Sequence, residues 1–457
     1  MARPEKVLSS SGAPLGPSTE PGFGPGLRLI RRVVDVKPVE LRAMLLACVY
    51  FFFLLSSYFI LRPIRDAMAV AAGVSKLPWL FAGTLSAMLV ANPIFSALVS
   101  RFPVRRFIII AYQFLALNLI GFYLLGRALE GQGEVWLGRV FFVWTSVFNL
   151  FVTSVFWSFM ADHFRSDQAK RLYGFIGVGG TLGSIIGSAT TAVLARRIGP
   201  TNLLLVSTAL LQLAVLIVAI FPAREDHPPD RASAGQQSTV IGGSVWAGLT
   251  RVAQSRYLSG IALFILLYTL GSTVLYFEQT DIIGRYFKSH SARTEALARI
   301  EFAAQTLTAF TQAFLTGRVI RWIGLAATLA IMPVVSVIGF TLVGASAIGL
   351  LPLLATFVAF SVARRASTFS LTDPAREVLY TSVSREDKFK AKSFIGTFVY
   401  RAGDQLAAWT YAGLTALGLG LAGIAWFAAP MSLVFVALGV WLARRHEELA
   451  RSEIRKS

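Results

Sequence analysis

Arg401 and Asp404 lie in FIGTFVYRAGDQLAAW, residues 394 to 409, inside an apolar run long enough to cross a bilayer. An isolated charge there costs at least ~2.5 kcal/mol, so each ion needs a partner or a purpose. The two residues are three apart and share a helical face. They form either a structural ion pair or a protonatable carboxylate, Asp404, with Arg401 as its partner or as an anchor for solute. A second charged stretch, SYFILRPIRDAMAV, sets Tyr58, Arg62 and Arg65 at helical spacing with Asp66 four residues after Arg62. Arginine binds phosphate or carboxylate bidentately, so this stretch reads as an anion-binding mouth, with Asp66 as a second candidate for proton or ion coupling. Arginines snorkelling to water are the alternative. Pro63 weakens the expectation of helix at Arg62.

Polar stripes at intervals of three and four point the same way. Glu301, Gln305, Thr308 and Gln312 form one, and Asn149, Thr153 and Trp157 form another. They act either as interhelical hydrogen-bond partners or as the walls of a wet cavity. Gly179, Gly183 and Gly187, four apart, make a small-residue face for close helix packing or for sliding. The four histidines, His163, His227, His290 and His446, lack the spacing of a metal pair, and no paired carboxylates share a nucleophile. Enzymatic chemistry and cofactors are not expected.

The elements that must carry these residues follow from composition. The chain has 457 residues, 55% of them hydrophobic and 15% charged, with mean hydropathy +0.63. These values exclude an ordinary soluble domain and a disordered chain. The net charge of +19 sits mainly between apolar spans, as membrane topology requires, so nucleic acid is not an expected partner. The single cysteine, Cys48, excludes an internal disulfide.

Spans are expected near 43–62, 79–99, 104–126, 136–160, 173–195 and 201–221, then 258–279, 300–322, 325–345, 355–380, 391–415 and 421–443. Around them fall a disordered cytoplasmic tail at 1–38, six-helix bundles at 39–221 and 258–443, a cytoplasmic linker at 222–257 and a cytoplasmic tail at 444–457. Placing both termini inside puts more than twice as many Lys and Arg in the cytoplasm as outside.

Sliding the halves by about 219 residues aligns Tyr58-Phe59 near Tyr276-Phe277 and Phe175-Ile176-Gly177 on Phe394-Ile395-Gly396. Two parallel six-helix repeats describe an all-α membrane protein of major-facilitator type. Hydropathy ends the tenth span just before Arg364-Arg365, whereas the repeat register places both arginines within it.

The run VFWSFMADHFRSDQAKRLYGFIG, from 155 to 177, resembles the non-mitochondrial ATP/ADP translocases through Phe156, Trp157, Phe159, Ala169, Lys170, Arg171 and Tyr173. LRPIRDAMAV is similar to that family's Leu-Arg-x-x-Lys-Asp stretch, with Arg65 in place of lysine. DPAREVLY and KFKAKSFI match through Asp373, Pro374, Glu377, Tyr380, Lys388, Lys390, Lys392 and Ile395, with Arg376 in place of lysine. The resemblance implies a nucleotide exchanger. One position departs from it: where the family carries a lysine implicated in nucleotide transport, this chain has Asp404.

The expected function is therefore alternating-access transport of an anionic solute, with ATP/ADP-type exchange leading. A proton-coupled porter of another anionic or zwitterionic metabolite is the alternative, and a non-transporting scaffold or sensor the third. Arg364, Arg365, Arg376 and Arg401 join Tyr58, Arg62, Arg65, Asn149, Trp157, Glu301 and Gln305 as expected solute contacts. The expected setting is a bacterial inner membrane, with a monomer plausible.

Overall fold

The computed structural model describes residues 38–101, 103–222, 245–383, 391–392 and 394–454. Apart from Pro38, the tail expected at 1–38 lies outside them, as do most of the linker and the motif residues Lys388 and Lys390. Long runs of Leu, Phe, Val and Ala satisfy their backbone groups internally as helices, the one open-ended solution in hydrocarbon. The first six are α1 (Pro38–Ala72), α2 (Leu77–Arg101), α3 (Val104–Ala128), α4 (Gln132–His163), α5 (Ser166–Leu194) and α6 (Pro200–Ile220). A short helix, α7 (Val245–Gln254), occupies the end of the linker. Then come α8 (Arg256–Tyr286), α9 (His290–Phe314) and α10 (Thr316–Ala347), α11 (Leu353–Ser367) and α12 (Asp373–Leu379), and finally α13 (Tyr400–Ala416) and α14 (Leu421–Ile454). A π-helical turn, Thr368–Thr372, joins α11 to α12 into one crossing, and another, Ile395–Val399, leads into α13. Twelve crossings result among the described residues.

Nine helices are long and apolar enough to cross a membrane, judged on the described residues. The other three crossings are α9, α11 with α12, and the segment ending in α13. They carry Glu301, Arg364 with Arg365, and Arg401 with Asp404. Charge depresses their hydropathy, and it is tolerated because partners on neighbouring helices neutralise most of it.

Two sequence expectations change. Helix α1 runs unbroken through Pro63 to Ala72, because neighbouring helices hold it and only one ladder bond is lost. The eighth span begins about ten residues earlier than expected, at His290. A hydropathy window slides away from Arg293, Glu295, Arg299 and Glu301, although Glu295 and Glu301 are buried in the fold. Beyond it, Gly324 at φ 77° breaks the helical path in α10, a conformation that favours glycine. Arg364 and Arg365 lie within continuous helix, as the repeat register requires.

The apolar core has three parts. One packs α1 against α3, α4, α5 and α6 around Tyr50, Phe156 and Leu211. Another packs α8, α10, α12 and α14 around Phe264, Met332 and Phe435. The third is a seam between the halves, where Ala67, Val70, Leu80 and Phe142 meet Phe277, Ile300 and Tyr411. Leu117, Ile338 and Leu433 stand exposed on the outer faces, as lipid contact requires.

Helices α1 and α5 approach most intimately through the glycine face. A Cβ at Gly179, Gly183 or Gly187 would meet the carbonyl oxygen of Cys48, Phe52 or Ser56 respectively. Successive turns of α5 are thereby locked against successive turns of α1, and Ser56 Oγ donates to the Gly183 carbonyl at 3.1 Å. This contact fixes the face that α1 turns toward the second half.

Candidate functional site

A cavity of about 240 Å³ lies between the halves. Tyr58 and Arg65 enter it from α1, Asn149 from α4, Tyr276 from α8, and Arg401 and Asp404 from α13. Tyr58 and Tyr276 are counterparts in the internal repeat, so the cavity sits where the two repeats face each other. Tyr276 was absent from the residues expected to bind solute, although its repeat position beside Tyr58 was the signal that could have found it.

Each cation in the cavity has its own anion. Arg65 donates from Nε and Nη2 to Asp66 Oδ1 at 2.9 and 2.7 Å, and its guanidinium lies 5.0 Å from the centre of the Phe142 ring. The Tyr276 hydroxyl donates to the same Asp66 oxygen at 3.0 Å from the other half of the molecule. Asp66 therefore pairs with Arg65 rather than with Arg62 one turn earlier. Arg401 Nη1 is 3.4 Å from Asp404 Oδ2, and Thr273 Oγ1 donates to Asp404 Oδ1 at 3.1 Å. The Arg401 side chain is 36% exposed against 14% for Arg65, so Arg401 is the more accessible of the two cations.

Arg62, Glu301, Gln305 and Arg365 assemble beside the cavity instead of lining it. Glu301 receives Arg62 at 3.1 Å and Arg365 at 2.5 Å, on different carboxylate oxygens. Gln305 Nε2 donates to it at 2.9 Å, and Arg365 also reaches Gln279 Oε1 at 3.0 Å. One carboxylate thus ties α1 to α9 and α11. Ser184 Oγ donates to Gln305 Oε1 at 3.3 Å, which adds α5 to the same junction.

The remaining candidates lie elsewhere. Arg364 is buried and donates to Ser336 Oγ, Ser272 Oγ and the Tyr268 carbonyl at 3.0, 3.0 and 3.2 Å. Arg376 is held by Asp373 at 3.0 Å and lines a second cavity of about 270 Å³ with Tyr268, Glu377, Lys392 and Tyr400. Tyr400 also borders the first cavity, so the two share a wall. Trp157 packs against Phe51, Phe156 and Tyr173 with ring centres 5.6, 5.1 and 5.2 Å away. At ~100° per residue, eight residues turn Trp157 about 80° away from Asn149, which explains why one lines the cavity and the other does not.

Further contacts between the halves run from this level toward the α1 C-terminus. Phe81 packs on Phe277 with ring centres 5.8 Å apart, and Trp79 packs on Trp409 at 5.3 Å. Arg196 pairs with Glu295 at the α5–α9 end. The halves are joined on that side.

No protein-family model matches this chain. Over 470 residues it is 22% identical to ADP,ATP carrier protein 2 of Chlamydia pneumoniae, covering 86% of this chain and 85% of that protein. The motif resemblance to ATP/ADP translocases is thus matched by a likeness along most of the chain. Among solved structures, the nucleoside transporter NupG superposes with a TM-score of 0.61 at 13% identity, covering 89% of this chain and 99% of that one. A D-xylose-proton symporter gives 0.62 at 12% identity, covering 88% and 96%. A POT family transporter in complex with 5-aminolevulinic acid gives 0.60 at 11% identity, covering 89% and 96%. The chain is a multi-pass membrane protein with the twelve-helix major-facilitator-like fold.

Proposed function

We propose that this chain is a secondary transporter that moves a small organic anion by alternating access, exchanging ATP- or ADP-type nucleotides as its leading activity. The observation that carries this reading is the cavity shared by the two halves, in which Arg401 and Arg65 face Tyr58, Asn149 and Tyr276. Guanidinium groups recognise phosphate and carboxylate, and the ring faces of the tyrosines suit a planar solute. Rocking the halves about their seam would open the cavity to one side and then to the other. Likeness to the chlamydial ADP,ATP carrier supports the nucleotide. The activity is translocation, with no chemical change of the solute. The reading sets the protein in a bacterial inner membrane with both termini cytoplasmic, on the distribution of Lys and Arg.

A second reading rests on one observation. Asp66 and Asp404 balance Arg65 and Arg401, so the cavity offers little net positive charge to a polyphosphate. A singly charged or zwitterionic metabolite, driven by protons, meets that balance more readily.

Uptake of labelled ATP and ADP into proteoliposomes, preloaded with nucleotide or with buffer and tested with and without a proton gradient, separates the two. Uptake that requires internal nucleotide establishes exchange. If verified folded protein takes up no nucleotide under any condition, the nucleotide reading fails and other anions follow.

A further inference from the structure

The span expected at 258–279 ends one residue past Glu278. Helix α8 instead continues to Tyr286, so Glu278 lies about 12 Å inside its end at ~1.5 Å per residue. The side chain is fully buried. Neither carboxylate oxygen has a hydrogen-bond or ion-pair partner among the described residues. Asp66, Glu301 and Asp404, acids on neighbouring helices, each hold a cation and a further donor.

The surroundings do not compensate a charge. Val274, Leu275 and Ile282, one turn away along α8, are buried and apolar. The like-charged Asp281 is three residues on and is taken by Arg285 at 2.5 Å. From α13, Tyr411 lies within electrostatic reach, and Asp404 is held by Arg401 and Thr273. From α11, Arg364 is bound to Ser272, Ser336 and Tyr268, and Arg365 to Gln279 and Glu301. From α1, Arg65 and Asp66 satisfy one another. Helix α14 contributes Ile424, Ala425 and Ala428 to the same buried cluster. A carboxylate ion would be stranded here, whereas a carboxylic acid is neutral and tolerated.

The neighbouring residues are those that close the seam. Tyr276 bonds to Asp66 of α1, and Phe277 packs on both Phe81 of α2 and Tyr411 of α13. Parting the halves on this side breaks the contacts of Tyr276 and Phe277, the two residues that precede Glu278 on α8.

We propose that Glu278 is a proton-binding site that couples transport to proton movement, holding a proton while this side is closed and releasing it to water when this side opens. The proposal rests on the alternating-access reading and names the coupling ion. Its sign is fixed. The closed form binds the proton more tightly, so low pH favours closure. Rising pH shifts the equilibrium toward opening, by up to about tenfold per pH unit for one proton.

Two substrate-independent measurements test it. The first is infrared spectroscopy of the full-length protein in lipid, where a protonated carboxyl band without hydrogen bonding should be present near neutral pH, absent in Glu278→Gln and retained in Glu278→Asp. The second is the distance between spin labels at Ser75→Cys and Leu417→Cys in a Cys48→Ser background; both sites are exposed on the closing side. The long-distance population should grow with pH in the parent and stay small at every pH in Glu278→Gln. A missing band, a band that survives in Glu278→Gln, or an unchanged pH response in that variant overturns the proton site. A band and a pH-driven opening that both depend on Glu278, without uptake of any solute tested, leave the proton site standing and reject the transport reading instead.

Discussion

Arg62 of α1 and Glu301 of α9 meet at 3.1 Å across the boundary between the two halves. Arg365 of α11 closes on the same carboxylate from the second half at 2.5 Å. Glu301 is 3% exposed, so it neutralises two cations where water cannot. Glu301→Gln leaves both guanidiniums uncompensated and should cost about 3–5 kcal/mol, the range for breaking a buried pair. Thermal unfolding in detergent measures the loss. Arg62→Gln should cost less, because Arg365 and Gln305 still hold the carboxylate. Equal melting temperatures for all three proteins would show that the cluster contributes nothing.

The glycine contacts predict a positional contrast within one helix. Gly183→Ala places a methyl group against the Phe52 carbonyl, while Gly177→Ala meets nothing within 4 Å. Overpacking of this kind costs about 1–3 kcal/mol, so Gly183→Ala should lower the yield of monodisperse protein and the melting temperature. Gly177→Ala should match the parent in both. A reversed order would contradict the α1–α5 packing.

Arg401 and Asp404 predict opposite effects on an anionic solute. Asp404→Asn removes the charge 3.4 Å from Arg401 and leaves a partly exposed guanidinium free to bind. Half-saturation for an anion should fall several-fold at low salt, and the gain should shrink as ionic strength rises. Arg401→Gln should raise half-saturation at least tenfold, since a bidentate partner is lost. Uptake titrations at two salt concentrations provide the check; weaker anion binding in Asp404→Asn would remove Arg401 from the binding site.

Arg196 predicts a small conformational effect with almost no effect on stability. Its side chain is 61% exposed, and Glu295 keeps Arg299 at 2.6 Å when Arg196 is removed. Exposed pairs contribute about 0.2–1 kcal/mol. Arg196→Ala should therefore shift the open-to-closed ratio, read from the Ser75–Leu417 distance, toward opening by no more than about fivefold. A shift toward closure would mean that this contact does not hold the halves together.

The candidate site was partly legible in sequence. Tyr58, Arg65, Asn149, Arg401 and Asp404 line the cavity because charged and amide groups have no other economical place in a membrane helix. Trp157, expected on one stripe with Asn149, stands off the cavity because a stripe extended over eight residues rotates off its face. Arg62, Glu301, Gln305 and Arg365 were read as solute contacts, but the fold bonds them to one another. Glu278 was hidden because hydropathy ends a span where polar residues begin, in the run Glu278, Gln279, Thr280, Asp281, while the helix ends only where its packing does.

The sequence by itself determined the helices, their number and their pairing into repeats. Apolar length and helical period are local quantities, and a bilayer admits few solutions to them. Tertiary structure alone decided which charge neutralises which. Arg62 could have met Asp66 one turn away on its own helix, yet it reaches Glu301, 239 positions along the chain. Asp66 instead takes Arg65 and Tyr276. Coulomb energy at a few ångströms depends on helix rotation and depth, which the packing of neighbouring helices sets and which no window of residues contains.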